Sequence, residues 1–101
     1  MYTQHKINDN GRIEKYNFKD KTYEDYHQVK KSKVKTFFTR IKTLNLKDYS
    51  YNKPGNITDY LIILTDSQNT NRIAWDNGSS QINPEIIAFF KDVDLYIKSL
   101  E

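Results

Sequence analysis

The pattern of apolar and polar residues near the start of the chain is typical of two short β-strands. Tyr2–Ile7 and Arg12–Phe18 are both strand-like, and Asn10-Gly11 lies between them. Asn-Gly readily adopts the positive φ angles that tight hairpin turns require. The chain is therefore predicted to begin with a β-hairpin.

A first amphipathic helix is predicted from about Lys33 to Leu44, with Ser32 as its N-cap. The apolar residues of this segment recur at steps of three and four, which places them on one face of a helix. They are Val34, Phe37, Phe38, Ile41 and Leu44. The short charged segment Tyr23–Val29 before this helix is interpreted as a loop or a short extended piece.

The second half of the chain repeats the order of hairpin and helix. Thr58–Thr65 is an almost continuous apolar run, predicted to be a central strand buried on both faces. A polar turn at Asp66–Asn71 leads to its partner strand, Arg72–Trp75. Asn83 is the predicted N-cap of the last helix, and Pro84 occupies the first helical position, where its missing N–H costs nothing.

Together these elements predict an α+β fold of order ββαββα, with two helices packed on one face of a four-stranded antiparallel sheet. The 101 residues (1–101) are expected to form a single domain. Its core is predicted from the two helical stripes and the apolar strand. The predicted core residues are Phe37, Ile41, Ile62, Leu64, Ile86, Phe90, Val93 and Ile97.

The amino-acid composition excludes several kinds of functional site. The chain has no cysteine, which excludes disulfides, zinc–thiolate sites and thiol catalysis. No apolar run approaches the ~20 residues of a membrane-spanning helix. The two histidines, His5 and His27, lie in no catalytic motif, and the three glycines are too far apart for a phosphate-binding loop. We therefore expect a protein that is not an enzyme and that uses no metal or cofactor.

Charge is distributed unevenly along the chain. Residues 1–53 contain thirteen basic and six acidic residues, whereas residues 54–101 contain three basic and seven acidic ones. The densest basic run precedes and enters the first predicted helix, and such a run can meet phosphates. Its lysines are Lys30, Lys31, Lys33 and Lys35. They predict an alternative function, a cytosolic module that binds nucleic acid or another anionic partner.

The connector Leu46–Ile57 is longer than helix–strand links usually are and is rich in Tyr, Asn, Gly and Pro. Tyrosine offers a large contact area at low entropic cost, so such loops often recognise other proteins. Alternatively, its tyrosines cover the core. The candidate binding residues are Tyr49, Tyr51, Asn52, Lys53 and Asn56.

Four features, in this order, resemble those of small bacterial exported or lipoprotein domains. They are a Ser-led helix (SKVKTFFTRIKTL), a Tyr/Pro/Gly loop (YSYNKPGN), a strand pair ending in IAW and a Pro-led final helix. The order is also loosely similar to that of emfourin-type inhibitors of metallopeptidases. The resemblance implies a non-enzymatic binding domain of the bacterial cell envelope whose partner is another protein, with inhibition of a peptidase as one form of that role. A chain that starts almost directly in a strand suits an exported or periplasmic mature domain better than a cytoplasmic one.

Overall fold

A computed structural model of the chain describes residues 4–64, 70–78 and 81–100. The protein is α+β, as the sequence predicts, with two helices and two small β-sheets. In chain order the elements are β1 (His5–Ile7), β2 (Arg12–Asn17), β3 (Thr22–Gln28), α1 (Lys31–Thr43), β4 (Asn52–Lys53), β5 (Thr58–Leu64), β6 (Thr70–Asp76) and α2 (Pro84–Ser99).

The predicted four-stranded sheet is wrong, because the strands form two separate three-stranded sheets. The first has the order β1-β2-β3 and is antiparallel throughout. The second has the order β4-β6-β5, with β4 parallel and β5 antiparallel to β6. The order ββαββα is therefore only loosely matched. The segment interpreted as a loop or a short extended piece, Tyr23–Val29, is extended: it supplies most of β3 and completes a sheet with the first hairpin.

The chain divides into two compact units. Unit 1 comprises Met1–Thr39 and Leu100, and unit 2 comprises Arg40–Ser99 and Glu101. The first sheet belongs to unit 1, and the second sheet belongs to unit 2. Among the described residues, unit 1 contains two buried apolar side chains, Ile13 and Val34. Unit 2 contains the others, which are Leu46, Ile63, Ile73, Ala74, Trp75, Ile82, Ile86, Phe89 and Ile97.

The predicted hairpin at the start of the chain is confirmed. The N–H of Asn8 donates to the carbonyl of Arg12 at 2.9 Å, and the N–H of Gly11 donates to the carbonyl of Asn8 at 3.0 Å. Gly11 has a φ of 92°, which a side chain rarely tolerates. The turn is thus closed by a glycine in the left-handed region. The residues of this predicted hairpin that precede Gln4 lie outside the described residues.

Helix α1 begins two residues earlier than the sequence predicts. The N–H of Lys33 donates to the carbonyl of Lys30 at 2.9 Å, so Ser32 lies in the first turn instead of capping it. At the other end, the N–H of Leu46 donates to the carbonyl of Ile41 and Asn45 adopts a φ of 53°. This pairing is a Schellman motif, in which a residue in the left-handed region ends the helix.

Strand β5 is confirmed, but its central position is not. It pairs only with β6 and lies at an edge of the second sheet, and Ile62 is 42% exposed while Ile63 is buried. The central place is taken by β6, which pairs on both sides. The expectation of two buried faces for β5 is also wrong, because the exposed side chain of Ile62 lies on a face that the core does not cover. Leu64 is described in its backbone only, and most of the predicted turn, together with Thr65, lies outside the described residues.

Helix α2 begins as predicted, since the N–H of Glu85 donates to the side-chain Oδ1 of Asn83 at 3.0 Å. Its buried side chains are Ile86, Phe89 and Ile97. Phe90, predicted to be in the core, is only half-buried and packs edge-on against Trp75, with ring centroids 5.3 Å apart. The remaining predicted core residues are also half-buried; they are Phe37, Ile41 and Val93. Within the described residues, neither helix is long and apolar enough to cross a membrane.

Candidate functional site

The predicted recognition loop in unit 2 is anchored by a side chain from β6. The amide Nδ2 of Asn71 donates hydrogen bonds to the carbonyl of Leu46 at 2.7 Å and to that of Tyr49 at 2.8 Å. One side chain thus satisfies two backbone carbonyls of an irregular segment, which would otherwise have to find water. The chain from the end of α1 to Tyr49 is therefore held against the second sheet.

The two loop tyrosines lie between this loop and the segment that precedes α2. The hydroxyl of Tyr49 accepts from the N–H of Asn83 at 3.3 Å, and the hydroxyl of Tyr51 accepts from the N–H of Gln81 at 3.2 Å. Their rings are nearly parallel, with centroids 6.5 Å apart, and both side chains are half-buried. The structure therefore brings the two predicted residues together as anchors of the loop.

The next part of the loop joins the second sheet through its backbone. The N–H of Ala74 donates to the carbonyl of Tyr51 at 3.1 Å, and Asn52 and Lys53 form β4 alongside β6. These pairings explain why the connector is long, because part of it is a sheet strand. Sequence reasoning missed β4, since a two-residue strand has no periodicity of its own.

Gly55 closes the loop at a crowded position. Its N–H donates to the hydroxyl of Thr58 at 3.1 Å, and that hydroxyl donates back to the carbonyl of Gly55, also at 3.1 Å. A Cβ on Gly55 would collide with the side chain of Asp76. The backbone therefore passes directly over Asp76, and only glycine fits there without a shift of its neighbours.

The tip of the loop, which we define as Asn52–Ile57, consists of six consecutive exposed residues. Ile57 is 67% exposed, an unusual amount for an isoleucine beside a strand. The ammonium group of Lys53 lies 5.5 Å from the centroid of the Tyr51 ring. Of the predicted binding residues, the tip contains Asn52, Lys53 and Asn56, and sequence reasoning missed Ile57.

The predicted anion-binding lysines, Lys30, Lys31, Lys33 and Lys35, are all exposed and lie at or just before the start of α1 in unit 1. A helix turns about 100° per residue. Lys31 and Lys35 therefore share one face, whereas Lys33 lies on the opposite side. Among the described residues these lysines form no ion pair within 4.0 Å.

The described residues contain no group of three or more His, Asp or Glu that could hold a metal ion. His27 lines a shallow depression of about 200 Å³ on unit 1, together with Arg12 and Asp25. The guanidinium of Arg12 pairs with the carboxylate of Asp25 at 2.6 Å. The hydrogen bond that Arg12 donates to Asp25 raises the pKa of Arg12 above its ordinary value.

Comparisons with known proteins give no relative of this chain. No protein-family model, no curated protein and no solved structure matches it.

Proposed function

We propose that the chain is a non-enzymatic protein-binding module whose contact surface is the loop tip Asn52–Ile57. One observation supports this proposal: six consecutive exposed residues are carried by a loop that is anchored before the tip by Tyr49 and Tyr51 and after it by the pairing of β5 with β6. A loop ordered before binding loses less conformational entropy when its partner arrives. Exposed residues on a rigid support are how many recognition surfaces are built.

The chemistry of the tip fits a protein partner. Ile57 and Pro54 offer apolar area, Lys53 offers a charge, and the amides of Asn52 and Asn56 can donate and accept hydrogen bonds. Interfaces combine an apolar centre with polar groups of this kind. A role as a peptidase inhibitor of the bacterial cell envelope is the more specific form of the proposal, and it depends on the resemblance to emfourin-type inhibitors.

The first step of the test is to find the partner. A photoreactive amino acid is placed at Asn56, and a second version carries it at Lys19, an exposed turn residue of unit 1. We expect Asn56 to crosslink a protein that Lys19 does not. If both positions give the same products, or neither gives any, the loop is not the contact surface.

The second step measures affinity for that purified partner. A variant with Asn52→Ala, Lys53→Ala and Ile57→Ser is expected to bind about tenfold or more weakly, with an unchanged melting temperature. The matched variant Tyr49→Phe with Tyr51→Phe removes two hydroxyl acceptors and leaves the tip intact. It is expected to lose about 1–3 kcal/mol of stability in total and to retain binding when folded. Unchanged affinity in the tip variant would contradict the proposal.

A second candidate function is the binding of an anionic partner by the lysines at the start of α1. The first turn of α1 contains no acidic residue. The dipole of a helix favours anions at its N-terminus, so the lysines there lower its stability. A local arrangement that lowers stability without compensation is expected at functional sites. Replacing Lys30, Lys31, Lys33 and Lys35 by Gln is expected to raise the melting temperature and to remove any salt-dependent binding of heparin. A variant that binds heparin like the parent would refute this function.

A further inference from the structure

One face of the sheet in unit 1 carries three aromatic side chains, with Tyr16 in contact with the other two. Tyr16 contacts Phe18 with ring centroids 4.8 Å apart, and it contacts Tyr23 with centroids 5.1 Å apart. Phe18 is 50% exposed and Tyr23 is 39% exposed. We call these three residues the aromatic platform. Two of its three side chains are thus exposed, in the unit whose sequence is the more basic.

The strand register explains why the three rings share a face. Tyr16 on β2 is paired with Tyr23 on β3, and side chains of paired residues project to the same side. Gln4 donates to the hydroxyl of Tyr23 at 2.6 Å and fixes that ring from the β1 side. Phe18 follows β2 directly and contacts Tyr16 from the adjoining turn. The platform is therefore built from three neighbouring segments and held in place by a hydrogen bond.

Three lysines lie on or next to the segments that carry the aromatic platform. The ammonium group of Lys6 lies 5.7 Å from the centroid of the Tyr23 ring. Lys19 and Lys21 are exposed in the turn that follows Phe18. They supply positive charge close in sequence to the exposed rings.

The nearby carboxylates are directed elsewhere or already bonded. Asn17 donates to Asp20 at 3.1 Å and to Glu24 at 2.9 Å, and Asn17 and Glu24 occupy positions that alternate to the opposite face. Two acids share the platform's face: Glu14, which is the cross-strand partner of Lys6 and accepts from Asn8 at 3.0 Å, and Asp25, which pairs with Arg12. Among the described residues, Lys6, Lys19 and Lys21 form no ion pair within 4.0 Å, so their charges can meet an anionic ligand.

We propose that the aromatic platform binds single-stranded nucleic acid. Bases stack on Phe18 and Tyr23, while phosphates meet Lys6, Lys19 and Lys21. Exposed rings flanked by cations are the combination that binds unpaired strands, because every base has a π face and every linkage carries a charge. A duplex hides its bases, so it gains only the electrostatic part. This site lies wholly within unit 1 and is independent of the protein-binding loop in unit 2.

Fluorescence anisotropy of a labelled oligothymidine of about 12 nucleotides tests the proposal, measured between about 50 and 200 mM salt. Phe18→Leu and Tyr23→Leu are each expected to weaken binding about 5- to 150-fold. Neither change should alter the salt dependence. Lys6→Gln is expected to reduce the slope of log affinity against log salt by about 0.7.

The matched control is Tyr26→Leu. Tyr26 lies on the same strand and has the ammonium group of Lys15 at 5.6 Å from its ring centroid. His5 is paired with Lys15, which precedes Tyr16 on β2 and so projects to the opposite face of the sheet. Tyr26 contacts His5 and therefore lies on that opposite face too. This variant is expected to bind like the parent. Phe18→Tyr retains an aromatic ring and is also expected to bind like the parent, which separates loss of the ring from loss of folding.

Three results would overturn the proposal. The first is no binding at micromolar protein in the lowest salt. The second is equal affinity for the oligothymidine and for a duplex of the same length. The third is that Phe18→Leu and Tyr23→Leu bind like the parent, whereas replacing Lys30, Lys31, Lys33 and Lys35 by Gln abolishes binding. That result would assign the nucleic acid to α1.

Discussion

Three of the described residues hold backbone conformations in the left-handed region, and each lies in a turn or at a helix end. Gly11 closes the first hairpin with a φ of 92°, Lys21 lies in the turn between β2 and β3 with a φ of 57°, and Asn45 ends α1 with a φ of 53°. Only glycine enters this region without a steric penalty. These positions are therefore where single substitutions act most directly on the backbone.

Gly11→Ala is expected to lower the free energy of unfolding by about 1–3 kcal/mol, measured by urea titration. The new methyl group must adopt a strained φ, and it would also collide with the backbone carbonyl of Val29. Gly78→Ala is the control, because its Cβ would meet only Oδ1 of Asp76 at 3.8 Å and Gly78 has no positive φ. That change should alter stability by about 0.5 kcal/mol or less. Equal losses in the two variants would contradict the strain argument.

At the scale of the elements, each helix is delimited by local hydrogen bonds. Helix α2 begins with the side-chain cap of Asn83, and α1 ends with the Schellman motif around Asn45. The edge strand β5 depends instead on a distant partner, because its register against β6 sets which of its side chains are buried. Stability at helix ends is thus a local property, while stability along β5 depends on tertiary packing.

Asn45→Ala is expected to destabilise the protein by about 1–2 kcal/mol, since alanine lacks the local hydrogen bonds that ease asparagine into the left-handed region. Asn45→Gly should be as stable as the parent or more stable by up to about 1 kcal/mol. Melting temperatures of the two variants measure the difference. If alanine were tolerated as well as glycine, the helix would not end as described.

The neighbouring isoleucines of β5 offer a test of register. Ile63→Ala is expected to cost about 2–5 kcal/mol, because its side chain is buried at 8% exposure. Ile62→Ala, at 42% exposure, should cost about 1 kcal/mol or less. Both variants replace isoleucine by alanine, so the difference between their denaturant midpoints isolates the effect of burial. A larger loss at Ile62 would mean that β5 is buried on the face we describe as exposed.

For the whole molecule, the open question is whether the two compact units unfold together. The length of the chain predicts a single domain, and small single domains usually unfold in one cooperative transition. The only tryptophan, Trp75, is buried in unit 2 and reports on that unit by its fluorescence. A substitution in unit 1 can therefore be monitored from unit 2.

We predict that Gly11→Ala lowers the urea midpoint seen by Trp75 fluorescence by the same amount as the midpoint seen by far-ultraviolet circular dichroism. The physical reason is that a cooperative domain unfolds in one transition, so a local loss of stability shifts the midpoint seen by every probe equally. Ile63→Ala, in unit 2, provides the reciprocal case. An unshifted fluorescence midpoint in Gly11→Ala would show that the units unfold separately and that the single-domain prediction is wrong.

The candidate site was predictable only in part. The Tyr/Asn/Pro/Gly composition of the connector identified Tyr49, Tyr51, Asn52, Lys53 and Asn56 as residues of interest. It did not separate the half-buried tyrosines from the exposed tip, because that division depends on the distant donors Gln81 and Asn83. The anchoring role of Asn71 had no signal in the sequence either, since its two carbonyl partners lie more than twenty residues away.

What the sequence determined by itself were features stabilised within a few residues. The hairpin at Asn10-Gly11, the start of α2 at Asn83-Pro84 and the pair β5–β6 follow from turn chemistry, capping and apolar runs. Only the tertiary structure decided how many sheets there are, that β6 and not β5 is central, and that Phe89 and not Phe90 is buried. Such choices depend on which distant strand supplies hydrogen bonds and which face meets the core, and a single strand or helix does not contain that information.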